Sequence, residues 1–170
     1  MRKWIEKRLK DIYDEEFVDI VEDLLDHVLV IGLEDCRHHI KTSRLQHCLG
    51  VSYRCYRICK RFGWDYVSAA RAGVLHDFYH YDSETDHEDK VVGLRHLRTH
   101  PQLALKNARD HFELNPVEID IIAKHMWPIT FMPPRYKESW LIVAVDKYCA
   151  IIEFFRIHRK IAHRRHIHHP

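Results

Sequence analysis

Arg71-Ala72-Gly73-Val74-Leu75-His76-Asp77 ends an apolar helical stretch on two chemically active side chains. Working back from it, Asp65 can cap the helix, and Ala69, Ala70 and Gly73 are small enough to let a neighbouring helix approach closely. The neighbour on the N-terminal side is predicted from Thr42 or Ser43, as cap, to Phe62, with Gly63 as its stop. Its apolar stripe is Leu45, Cys48, Ser52, Cys55 and Cys59, widened by Leu49 and Tyr56. An earlier helix over Glu16 to Val30 carries Phe17, Ile20, Val21, Leu24, Leu25 and Val28 at helical spacing and stops at Gly32.

On the C-terminal side, Tyr79 to Arg98 reads as a long polar surface loop. Its acidic run, Asp82, Glu84, Asp86, Glu88 and Asp89, could form a lid or a solvated loop. Pro101 suits the first turn of a helix from Thr99 or His100 to Phe112. Asn115-Pro116 opens another, ending near His125, and Trp127-Pro128 closes it. Pro133-Pro134 keeps the chain extended before a last helix from Lys137 to Ile161. No β hairpin is expected. The class is all-α, a compact bundle of about six to eight helices. Residues 1–40 form an N-terminal helical segment packing on the core, 41–155 the main domain, and 156–170 a basic tail continuing the last helix.

Composition narrows the function. The chain has 170 residues, 46% hydrophobic and 31% charged, a soluble globular balance. No run of eighteen apolar residues suggests a membrane span, and the N-terminus lacks the apolar core of an export signal. Five cysteines without a CxxC pair read as reduced thiols in a cytoplasmic protein. The net charge of +2 divides into +5 over Arg156 to Pro170 and −3 elsewhere. Such a tail can hold an acidic partner or lie solvated. Nothing else resembles a nucleic-acid stripe, so nucleic acid is not the expected partner. The outlying number is histidine, 16 residues, five of them in the last 13. Histidine is a common metal ligand.

Two segments place further chemistry inside apolar helices: Arg44-Leu-Gln-His47-Cys-Leu-Gly-Val and Leu141-Ile-Val-Ala-Val-Asp146-Lys147-Tyr148. A buried, unpaired carboxylate costs several kcal/mol, and a divalent cation would satisfy both Asp77 and Asp146. The alternative is a polar network of caps and ion pairs. The order His47, His76-Asp77, Asp146 resembles that of the HD superfamily of metal-dependent phosphohydrolases, over roughly residues 40–155. The resemblance implies an all-helical fold with these four residues as ligands. His100 and His125 resemble the additional ligands of dinuclear members. It thus implies one or two divalent ions (Fe, Mn, Co, Ni, Zn or Mg), with Asp77 as the bridge if two bind.

The chain departs from the family pattern at three places. His80 stands where many members have a Lys. No Gly-Tyr-Pro follows the His-Asp pair, as it does in cyclic di-GMP phosphodiesterases. Met126-Trp127-Pro128 follows the fourth His, where dinucleoside tetraphosphatases have small polar residues.

The implied activity is hydrolysis of a nucleotide, nucleoside polyphosphate or related phosphoester by metal-activated water. Asp77 would bind metal and orient the nucleophile, and His80 or Lys147 would protonate the leaving oxygen. Arg44, Lys124 and Arg135 are the candidate substrate cations, and the segment Trp127 to Lys137 could stack a base or simply pack. Two other classes fit the residues: a di-iron oxygenase of HD type, and a non-catalytic module binding metal and nucleotide. Oligomeric state stays open, a homodimer included.

Overall fold

The computed structural model describes residues 13–39, 42–80 and 94–167, with side chains given from 13–36, 42–80 and 97–155. The acidic run from Asp82 to Asp89 and the side chains of the basic tail lie outside these residues. The element order is α1 (Glu15–Leu25), α2 (Val28–Gly32), β1 (Arg37–His39), β2 (Thr42–Ser43), α3 (Arg44–Phe62), α4 (Tyr66–Leu75), α5 (Leu94–His111), α6 (Pro116–Lys124) and α7 (Lys137–Ile167). The fold is all-α, as the helical periodicity predicts.

The helices α3 and α4 form the most extensive pair, and the reason is local. A Cβ on Gly73 would stand 2.6 Å from Ser52 Cα, so only glycine permits this approach. Ser52 Oγ donates to Ala70 O at 2.6 Å across the same seam. The ends are also defined by sequence. Ser43 accepts from Gln46 N at the start of α3, and Gly63 ends it at φ 64°, a left-handed cap suited to glycine. Asp65 caps α4 by accepting from Ser68 N. Asn115 and Glu118 make the capping box of α6, with Pro116 at its first turn.

The core gathers apolar faces from α1 to α7. Phe17 of α1 is fully buried among Tyr13, Tyr53 and Tyr56, with ring centroids 5.1 to 5.3 Å away. Burying such a side chain contributes about 1.5–3 kcal/mol. Arg71 on α4 then ties three helices together. It donates to both carboxylate oxygens of Asp23 on α1, at 2.6 and 2.9 Å, and to Glu118 on α6 at 3.2 Å.

Three local differences from the sequence expectations have physical reasons. The first helix breaks at Asp26–His27, where His27 Nδ1 accepts from Leu29 N and caps a new short helix. A two-stranded antiparallel pair, β1 with β2, precedes α3. Its strands of three and two residues are too short to leave an alternating pattern. The helix α5 begins at Leu94, so Pro101 lies inside it rather than in its first turn. The buried face Pro101, Ala104, Leu105 and Ala108 keeps helical spacing through the proline, and packing outweighs the lost hydrogen bond. The last helix runs on to Ile167. Among the described residues, no helix is long and apolar enough to cross a membrane.

Candidate metal centre

Five helices deliver the site. His47 sits in the second turn of α3, and His76-Asp77 follows the last turn of α4. His100 lies within α5, His125 caps the C-terminus of α6, and Asp146 lies in α7. The seam made by Gly73 and Ser52 sets the spacing between the first two. His47, His76, Asp77, His100 and His125 are all 5% exposed or less, a heavy concentration of polar atoms for a core.

They form two adjoining groups that share Asp77. The ligand-capable atoms of His47, His76 and Asp77 lie within 4.8 Å of one another, as do those of Asp77, His100 and His125. Asp146 abuts the first group, with Oδ1 3.0 Å from His47 Nε2 and 3.7 Å from His76 Nε2. In the second group, Asp77 Oδ1 is 3.3 Å from His100 Nε2 and 3.5 Å from His125 Nε2, and the two imidazole nitrogens are 2.9 Å apart.

The far side of each ring identifies its tautomer. His76 Nδ1 donates to Gly73 O at 2.8 Å, and His125 Nδ1 donates to Ile122 O at 2.9 Å. In the neutral rings, both Nε2 atoms therefore present lone pairs to the centre. That is the arrangement in which a metal-binding histidine is held from behind. His76 Nε2 is buried and makes no hydrogen bond, because its nearest carboxylate oxygens stand 3.7 and 3.8 Å away. Two donors bound to one ion at about 2.1 Å stand about 3.0–3.6 Å apart. The separations in both groups lie close to that range. The buried donors thus fit a divalent cation, and imidazole with carboxylate suits first-row transition metals.

Electrostatics agrees with the geometry. Burial alone would raise the Asp146 carboxyl, but the hydrogen bond with His47 and the nearby His76 hold it well below the carboxylate range. Burial opposes protonation of His76, yet the neighbouring Cys48 and Asp77 together lift it well above the ordinary histidine value.

The remaining candidates are placed as follows. Lys147 is half-buried and reaches across from α7, with Nζ 3.3 Å from His125 O and 3.4 Å from Val143 O. Burial lowers it, with Asp146 acting in the opposite sense. Arg44 is buried with its guanidinium 3.8 Å from the Tyr79 ring centroid, and Nη1 donates to Tyr79 O at 2.7 Å. Lys124 pairs with Asp120 at 2.5 Å, and the exposed Arg135 donates its backbone N–H to the same carboxylate at 2.8 Å. His80 belongs to neither histidine group. Its Nε2 faces Leu29 O at 2.7 Å, on the α2 side of the molecule.

One residue of the centre escaped the sequence reading. Glu153 Oε1 is 3.1 Å from His47 Nδ1. The available signal was its place seven residues after Asp146, two turns along the same helix face. A family model described as HD domain matches residues 44–151. No curated protein and no solved structure matches the chain.

Proposed function

The chain belongs to the HD domain family, a superfamily of metal-dependent phosphohydrolases, and from that premise we propose that it hydrolyses a small phosphorylated substrate. The substrate class is a nucleotide, nucleoside polyphosphate or related phosphoester. The observation that carries the reading is the buried pair of groups sharing Asp77, each able to hold an ion. His47, His76, Asp77 and Asp146 would hold one ion, and Asp77, His100 and His125 the other. A bound divalent cation supplies Lewis acidity and an activated water.

The chain's own residues do the rest. Asp77, common to both groups, fixes their relative position and accepts a hydrogen bond from the attacking water. Backbone carbonyls of Gly73 and Ile122 keep His76 and His125 in the tautomer that turns Nε2 inward. Lys147, whose amine lies beside the His125 carbonyl, is the better placed acid for the leaving oxygen, since His80 faces Leu29. Arg44 acts by holding Tyr79, two residues from Asp77, and of the candidate cations Lys124, Arg135 and Lys147 are left to meet the substrate. The test is turnover of a nucleotide and phosphoester panel by the full chain with Mn, Co, Ni, Fe, Zn and Mg. Stoichiometric metal binding without phosphate release from any substrate refutes the hydrolase reading. Iron- and oxygen-dependent turnover would replace it with an oxygenase.

Residues 1–40 and 156–170 flank the catalytic unit in this reading, and the unit works as a homodimer in the cytoplasm. The support for the dimer is an exposed stripe on α7: Trp140, Ala144, Tyr148, Ile151 and Phe155, continued by Phe154. Covering it would remove about 500 Å² per copy, or about 1,000 Å² for a pair, the lower limit for a specific interface. The stripe lies opposite the face that carries Asp146 and Glu153. Sedimentation as a monomer at 10-fold dilution steps from about 100 μM would refute this part.

A further inference from the structure

Glu153 is a part-buried carboxylate at the centre that the ligand pattern does not use. It is 106 residues from His47, yet its Oε1 accepts from His47 Nδ1 at 3.1 Å. His76 and His125 rest on backbone carbonyls three residues earlier, within their own helices. Those supports are neutral and local. The support of His47 is charged and comes from α7, the helix that also supplies Asp146. A carboxylate behind an imidazole fixes the ring plane, forces the tautomer and strengthens the donor on the other nitrogen.

Resting on the metal reading above, we propose that Glu153 is a positioning residue which ranks the two ion positions. It makes His47 the stronger donor and links it rigidly to Asp146. The position formed by His47, His76, Asp77 and Asp146 therefore fills first. The position formed by Asp77, His100 and His125 has one protein ligand fewer, and its His125 rests on the neutral Ile122 carbonyl, so it fills second. The chain is thereby a stepwise binder, with one firmly held ion and one exchangeable ion.

The test is titration of the full metal-free chain with Co(II), followed by calorimetry, native mass spectrometry and the visible spectrum. The expected result for the parent chain is two resolved steps. Glu153→Gln keeps an acceptor but loses the charge, and it should weaken the first step by about 10-fold. Glu153→Ala should weaken it by up to about 100-fold and change the first-step Co(II) spectrum. The second step should stay within about twofold in both variants. Equal weakening of both steps, or an unchanged first step in Glu153→Ala, overturns the proposal. Two indistinguishable steps in the parent chain also overturn it. A parent chain that binds no divalent ion refutes the metal reading itself, and a fall in the thermal midpoint of Glu153→Gln before metal addition identifies a purely structural role.

Discussion

Gly73→Ala is the most direct test of how the fold sets the metal centre. The added methyl would stand 2.6 Å from Ser52 Cα, 2.9 Å from Ser52 Cβ and 3.2 Å from Ser52 N. Carbon atoms in contact prefer about 3.5–4.0 Å, so α3 and α4 must part by about 1 Å. The obstacle is backbone and a short side chain, and neither can swing away. Overpacking of this kind costs about 1–3 kcal/mol. Against it stands a gain of about 1 kcal/mol from replacing glycine by alanine inside a helix. The net loss should be up to about 2 kcal/mol, seen as a thermal midpoint up to about 8 °C lower for a chain of this size.

The same separation moves His47 away from His76, because the two residues flank the seam on α3 and α4. Displacements of about 1 Å can reduce turnover about 100-fold. The matched control is Gly50→Ala on α3, where the added methyl meets only the flexible Arg54 Nη1 at 3.2 Å. That variant should be neutral or up to about 1 kcal/mol more stable. A rise in the midpoint of Gly73→Ala comparable with that of Gly50→Ala would refute the close seam, and with it the account of what spaces the ligands.

Three further outcomes follow from the same geometry. Saturating Mn(II) or Co(II) at about 100 times its dissociation constant should stabilise the metal-free chain by about 2.7 kcal/mol, and a chelator should reverse a midpoint shift of about 5–10 °C. No shift with any divalent ion would argue for a purely polar network. At pH 8, a thiol reagent should label Cys36 quickly, while Cys48, Cys55, Cys59 and Cys149 react only on unfolding, since all four are buried and burial pushes the Cys59 thiol up to about 12. Burial and the nearby His111 lower His27, so the folded state resists its protonation. Stability should therefore be full above the unfolded value of about 6.5 and decline as pH falls below it. Denaturant unfolding from pH 8 to 5 measures this, and His27→Asn, which keeps the cap but does not titrate, should flatten the dependence.

The parts of the site that sequence makes legible are those where polar chemistry interrupts an apolar helix. Asp146 after Ile142, Val143, Ala144 and Val145 is such an interruption, and so is His47 beside Leu45, Cys48 and Leu49. Helix periodicity turns His47, His100 and Asp146 to the core, where they meet His76, Asp77 and His125 at the ends of two other helices. What stayed illegible depends on contacts between distant segments. Nothing in the sequence around His80 says that its ring turns to Leu29, 51 residues away. Arg44 has the spacing of a phosphate ligand, but the Tyr79 ring and carbonyl claim its guanidinium. Pro101 looked like a helix start because the penalty for an internal proline is local, whereas the packing that outweighs it is tertiary. Glu153 was legible in principle, seven residues after Asp146, but nothing local distinguishes it from a solvated acid.

Charge balance limits what can occupy the centre. Asp77, Asp146 and Glu153 bring three negative charges into a region where their side chains are 7%, 13% and 17% exposed. With four neutral histidines and one divalent ion, the centre keeps a net negative charge and would repel a phosphoester dianion. With two divalent ions the sign reverses, and Lys147 beside His125 strengthens the positive field. Substrate affinity should therefore depend on the second, more weakly held ion rather than the first. On this reasoning, the first ion completes the fold of the centre, and the second makes it attractive to phosphate. Phosphate binding measured at one ion per chain should be weak, and it should strengthen steeply as the second position fills. Equal affinity at both loadings would mean that charge does not govern recognition here.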